Sequence, residues 1–123
     1  MSKRVLDVGN CSLDHGAISA ALRTQFAADV VQAHGPDDAL EQLRRGGFDL
    51  VLVNRKLDQD YSDGLDIVKT IKADPTLAAT PVMLITNYAE HQHSAVAAGA
   101  ELGFGKKELN LPETQAKLAK FLK

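Results

Sequence analysis

The sequence predicts an α/β three-layer sandwich, a five-stranded parallel sheet with five helices on its two faces. Two observations carry this. Short aliphatic or β-branched runs alternate with amphipathic stretches along the chain, with brief polar punctuation between them. Two of the runs, LVLV (Leu50 to Val53) and VMLI (Val82 to Ile85), are apolar at every position. That pattern suits strands buried on both sides.

The elements follow in order. RVLDV, Arg4 to Val8, is the first strand, and GNCS is the loop after it. LDHGAISAALRTQF is a helix, because Ile18, Leu22 and Phe26 recur at fourfold spacing; Asp14 is its candidate N-cap. DVVQAH is the second strand. GPDDALEQLRRGG is the second helix, opened near Pro36 and closed by Gly46 and Gly47. FDLVLVN is the third strand, and DQDYSD is a polar loop. GLDIVKTIKAD is the third helix, with Leu65, Val68 and Ile71 on one side and a stop before Pro75. PVMLIT, Pro81 to Thr86, is the fourth strand. AEHQHSAVAAGA is a weakly apolar fourth helix, and LGFGK is a short fifth strand. LPETQAKLAKFLK is the last helix, starting at Leu111 or Pro112, with Leu118, Phe121 and Leu122 inward.

The bulk numbers narrow the function classes. A length of 123 residues suits one domain, spanning 1–123, with 45% apolar and 24% charged residues. A net charge of −2 provides no concentrated basic face, so nucleic acid is not an expected partner. The one cysteine, Cys11, cannot staple the chain, which points to a reducing cytoplasm. The N-terminal stretch lacks the apolar core of a secretory signal. No apolar run approaches the ~20 residues that a membrane helix needs, so no membrane partner is expected.

In open sheets of this kind, ligands sit beyond the C-terminal ends of the strands. The residues there are Gly9 and Asn10 after the first strand, Asn54 after the third, Thr86 after the fourth and Lys106 after the fifth.

Three stretches at these positions carry a resemblance. TPVMLIT ends a fourth strand in Thr. AAGAELGFGKKEL leads through Ala-Gly-Ala to a Lys before the last helix. DGLDIVKTIK opens a third helix after Asp63-Gly64. Together, and in this order, they resemble the receiver domain of bacterial response regulators over the whole chain. The resemblance implies a flavodoxin-like, CheY-like fold and a role in signal transduction in two-component systems. It also implies phosphoryl transfer to an Asp ending the third strand, with two acidic residues after the first strand holding Mg²⁺. A Ser or Thr and a Lys would bind the phosphoryl oxygens.

The match is partial at the site. Thr86 and Lys106 stand at the retained Thr and Lys positions. Asn54 stands at the phosphoacceptor position, and Gly9 and Asn10 at the acidic pair. The aromatic switch position falls on Gly103, and Lys107 follows Lys106 where Pro is common. An amide does not replace a carboxylate nucleophile. Mg²⁺ seeks carboxylate oxygens, which Gly9 and Asn10 do not supply. The expected reading is therefore a degenerate receiver, or pseudo-receiver. It is not an enzyme, uses no cofactor or metal, and acts through phosphorylation-independent protein–protein interaction. By family usage, the expected interface is the fourth helix, fifth strand and fifth helix, about Ala89 to Lys123, binding a signalling protein or output domain, or forming a homodimer.

Two alternatives come from other classes. One is a phosphorylatable receiver with a relocated acceptor, Asp58 or Asp60. The other is a small-anion or nucleotide sensor using Thr86 and Lys106. Other residues read more simply. Asp7 interrupts an apolar strand and needs a partner if buried, with Lys106 one candidate. His91 and His93 are two residues apart, so on a helix they do not share a face for a metal. Cys11 lacks a nearby His to form a nucleophile pair, and GFGKK lacks phosphate-loop spacing.

Overall fold

The computed structural model describes residues 2–123. The strands are β1 (Arg4–Val8), β2 (Asp29–Ala33), β3 (Leu50–Asn54), β4 (Val82–Ile85) and β5 (Glu101–Phe104). The helices are α1 (Ser12–Phe26), α2 (Pro36–Arg45), α3 (Gly64–Ala73), α4 (Ala89–Ala97) and α5 (Pro112–Leu122). The five strands form one parallel sheet in the order β2-β1-β3-β4-β5. This is the flavodoxin-like architecture that the alternating pattern predicts.

Strand alternation divides the core. Leu6, Val8, Val51, Val53, Val82 and Leu84 pack with Ala39 and Leu43 of α2, Ile67, Val68 and Ile71 of α3, and Ala95 of α4. Val5, Leu50, Leu52, Met83, Ile85 and Phe104 pack on the other face with Ile18 and Leu22 of α1 and Leu118 and Leu122 of α5. Removing one such aliphatic side chain from water contributes about 1.5–3 kcal/mol. The helices are held by this burial more than by their caps.

Several local expectations change. Cys11, not Asp14, occupies the N-cap of α1 and makes no side-chain cap bond there. Asp14 lies in the first turn instead. β5 ends at Phe104, and Lys106 opens a 3-10 turn, Lys106–Glu108. Glu108 closes that turn by accepting from the Gly105 N–H at 2.8 Å. On α5 the inward set is Thr114, Leu118 and Leu122, with Phe121 half-buried. Among the described residues, no helix is long and apolar enough to cross a membrane.

The sheet order fixes where a ligand site belongs. Chain direction across the sheet reverses at β1, which lies between β2 and β3. A crevice opens at the C-terminal ends of the strands at such a reversal. Gly9, Asn10 and Asn54 border it.

Candidate functional site

On the β1–β3 side, the crevice is filled by the protein itself. Asn54 turns its amide nitrogen to the carbonyls of Gly9 at 3.2 Å and Lys56 at 2.6 Å. Both amide hydrogens are thereby used as donors. The Asp58 N–H also donates to the Gly9 carbonyl, at 3.0 Å. Gly9 has φ +79°, and a Cβ placed there would lie 2.4 Å from Leu57 Cδ2 and 3.2 Å from Leu57 Cα. Leu57 is buried. A longer side chain at position 9 meets both a left-handed backbone and an occupied volume.

Asn10 is fully buried and donates through Nδ2 to Asp7 Oδ1, while its own Oδ1 has no partner among the described residues. The residues offered to a divalent cation are therefore one neutral amide oxygen and carbonyls already engaged by Asn54. They do not fit Mg²⁺, which takes carboxylates with water and phosphate. Among the described residues, no cluster of three His, Cys, Asp or Glu side chains is arranged to hold a metal.

Asp7 is the buried carboxylate beneath this site. It aligns with Gln32 and Leu52 in the sheet, on the α1 side. Its partners are Asn10 and His15 Nδ1, the latter at 2.7 Å. Lys106 pairs instead with Asp14 at 2.7 Å. Burial pushes the Asp7 carboxyl above its ordinary range, against the bonds from His15 and Asn10 and the charge of Lys106. The Lys106 bond holds Asp14 below that range. Sequence spacing gave no direct sign of the Asp7–His15 pair, which depends on how α1 folds back over β1.

The β4–β5 side stays open. A cleft of about 330 Å³ is lined by Asn54, Arg55, Lys56, Thr86, His91 and Lys106, with Ile85, Asn87 and Tyr88 completing its wall. No carboxylate lines it. Arg55 leans on Asp63 at 3.8 Å, and Lys56 is in no ion pair among the described residues. The Thr86 hydroxyl lies 3.3 Å from both His91 Nδ1 and the Tyr88 nitrogen. Tyr88 meets the His91 ring edge-on, with centroids 5.5 Å apart. Asn54, Thr86 and Lys106, singled out from the sequence, thus share one cleft, while Gly9 and Asn10 lie outside its lining.

Gly103 lies under α4. A Cβ at that position would stand 2.3 Å from the Leu84 carbonyl oxygen. The space beside it belongs to Gln92, a buried side chain that sequence reading missed. Its Nε2 donates to the Leu84 carbonyl at 2.8 Å, and its Oε1 accepts from the Gly103 N–H at 2.9 Å. One amide thus joins α4, β4 and β5. The only sequence hint was a Gln inside a weakly apolar helix.

The other acidic candidates stand apart. Asp58 contacts His34 Nδ1 at 3.2 Å, and its Oδ1 is buried without a partner among the described residues. Asp60 accepts from the Ser62 hydroxyl at 2.6 Å, which lowers its carboxyl from the usual range. It lines a different groove, with Asp63 and Asp66. His93 borders a groove along β5 and does not line the cleft that His91 lines.

Comparison with known proteins agrees with the geometry. The family model described as "Response regulator receiver domain" matches residues 14–119. The transcriptional regulatory protein ZraR of Escherichia coli strain K12 is 35% identical over 113 residues. That alignment covers 89% of this chain and 24% of ZraR, so the chain spans about a quarter of the curated relative's length. Among solved structures, the signal receiver domain of a DNA binding response regulator (merR) from Colwellia psychrerythraea 34H superposes with a TM-score of 0.80 at 24% identity, covering 97% of each chain. CheY4, a chemotaxis protein of Vibrio cholerae, gives 0.72 at 20% identity, covering 98% of this chain and 95% of the other. At those identities the two structures speak for the fold.

Proposed function

The chain belongs to the response regulator receiver domain family, and from that premise we propose that it is a pseudo-receiver, a signalling domain that binds a protein partner without being phosphorylated. The observation that carries this reading is the Asn54 amide. It has no nucleophilic oxygen, and its hydrogens are committed to the Gly9 and Lys56 carbonyls. Gly9 and Leu57 together leave no room for an acidic side chain beside it. The losses at Gly9, Asn10 and Asn54 thus remove nucleophile and metal from one reaction.

A relocated acceptor has less support. Asp58 and Asp60 are absent from the cleft lining that holds Thr86 and Lys106. An in-line phosphoryl transfer needs its stabilising cation beside the acceptor.

The proposed partner surface is α4, β5 and α5. Tyr88, Val96, Leu102 and Leu111 expose apolar area there; among the described residues Leu13 and Tyr61, which lie elsewhere, are more exposed still. Gly103 and the Gln92 staple hold this surface in one arrangement, so partner binding is set by the domain's presence or by another ligand. The domain 1–123 acts in this reading as a binding module and not as an enzyme.

The test is intact mass after incubation with Mg²⁺ and acetyl phosphate. The wild type is expected to remain unmodified. Asn54→Asp alone is also expected to remain unmodified, because Gly9 and Leu57 still exclude the metal ligand. A stoichiometric, Mg²⁺-dependent phosphate on the wild-type chain overturns the reading.

A further inference from the structure

We propose that two copies of this chain pair through β2, antiparallel and about a two-fold axis, so that their sheets join into one. The pairing lies at the sheet edge opposite the proposed partner surface. It does not depend on whether Asn54 accepts phosphate.

The backbone of the two edges is the first argument. β2 and β5 are the outer strands. On β5, the Gly103 N–H donates to Gln92 Oε1 at 2.9 Å, and the Gly103 carbonyl accepts from Lys117 Nζ at 3.0 Å. Side chains of the same chain thus occupy that backbone. On β2, the Asp29 N–H donates to the Lys3 carbonyl, and the Ala33 carbonyl accepts from the Gly9 N–H, both at 2.9 Å. Asp29, Val31 and Ala33 therefore face β1, and alternation turns the backbone groups of Val30 and Gln32 outward. Among the described residues, no hydrogen bond from a loop or side chain reaches those four groups. The register with β1 runs unbroken from Asp29 to Ala33, and DVVQA holds no Lys or Pro. A bulge, a Lys or a Pro is what commonly blunts an edge.

Self-complementary register is the second. With Val31 on the axis, Val30 of each copy meets Gln32 of the second copy. Each such pair exchanges two N–H to carbonyl bonds, so all the outward groups are used. Asp29, the one charge on the strand, falls opposite Ala33, so like charges do not face each other. Val30 and Phe26 on one face, and Val31 on the other, are only partly covered in the single chain. Pairing removes more of that apolar area from water.

Charge on α2 is the third, and it selects a second copy over another partner. α2 carries Asp37 and Asp38 in its first turn and Arg44 and Arg45 in its last. Arg44 leans to Asp74, and Pro36 borders the groove against α3, so that flank of the helix faces α3. Helical spacing puts Asp38, Gln42 and Arg45 on the other flank, beside the β2 edge. The two-fold axis runs the two α2 helices antiparallel. Asp38 then approaches Arg45 of the second copy at both ends. The α4, β5 and α5 surfaces remain at the two far ends of the joined sheet, so one dimer presents two of them.

The experiment is sedimentation equilibrium of the whole chain, with amide hydrogen exchange, from about 1 µM to about 1 mM. The expected result is a mass that doubles with concentration, with slowed exchange at Val30 and Gln32 as the dimer fills. Val31→Lys sets two ammonium groups face to face on the axis and is expected to abolish pairing. Arg45→Glu, an exposed substitution, is expected to weaken association about tenfold while keeping the far-UV circular dichroism of the wild type. Lys69→Glu makes the same charge reversal on α3, away from β2, and is expected to leave association unchanged. A monomer at every concentration overturns the proposal. So does a dimer that survives both Val31→Lys and Arg45→Glu, or one in which the Val30 and Gln32 amides exchange as in the monomer, because such a dimer uses another face.

Discussion

On the β1–β3 side of the strand ends, the amide nitrogens of Asn54 and Asn10 and the side chain of Leu57 face other groups of the chain. Asn54 spans two carbonyls, Leu57 packs on Gly9, and Asn10 bonds to a buried Asp7. On the β4–β5 side, the groups face open volume, and they are cations and a hydroxyl. The two sides meet at the neighbouring strands β3 and β4. Under the pseudo-receiver reading, the difference teaches that the two parts of such a site are separable: the side that would supply carboxylates is packing, and the side that would meet oxyanions is lined by cations.

The sharpest way to break this comparison is to return an acid to the closed side. Gly9→Asp forces a left-handed backbone onto a residue that carries a Cβ and drives that Cβ into Leu57. It is expected to destabilise the fold by about 3 kcal/mol, measured by urea unfolding. An unchanged midpoint would mean that Leu57 yields and the closed side is only nominally closed. A smaller effect is expected on the open side. Gln92→Leu removes the acceptor of the buried Gly103 N–H and the donor to the Leu84 carbonyl. The expected cost is about 1–2 kcal/mol, with faster amide exchange along α4. Normal exchange in α4 would show that packing, and not the amide, holds that helix.

The smallest effect concerns Asp7 and has a definite sign. Its folded carboxyl lies above the ordinary value of 3.8, because burial disfavours the charge. The folded protein therefore binds that proton more tightly than the unfolded chain does. The contribution of Asp7 to stability is fully present below 3.8 and is lost as pH rises through the raised folded value. Asp7→Asn keeps an acceptor for Asn10 and removes the charge. Its urea midpoint is expected to match the wild type below pH 3.8 and to exceed it at pH 7. A lower midpoint at pH 7 would show that the His15 contact outweighs the burial cost.

Much of this was legible in the sequence, for physical reasons. LVLV and VMLI are long enough to reveal β3 and β4 without help, and the fourfold spacing of Ile18 and Leu22 reveals α1. That Gly9 and Asn54 are not acids is visible as residue identity alone. The rest depends on contacts far apart in the chain. The 3-10 turn at Lys106 is three residues long and carries no periodicity. Asp14 looked like a cap because a cap and a first-turn acid have the same local signature, and only the approach of Lys106 across the fold distinguishes them. His15 meets Asp7 because a strand and the next helix fold back on each other. Leu57 meets Gly9 where the loops after β3 and β1 come together. Gln92 is polar in a helix, and its partners are backbone groups that no side-chain pattern reports.

The contact between Gly9 and Leu57 also bears on engineering order. A designer who wishes to rebuild a phosphate switch in this chain cannot begin with the most obvious substitution. The acid at position 9 has nowhere to go until the neighbouring leucine has been made smaller and the local backbone re-aimed. The intermediate with the small residue alone carries a void and no new activity. On the pseudo-receiver reading, the rebuilding thus passes through a less stable protein before any benefit appears, so the order of steps matters as much as the missing chemistry.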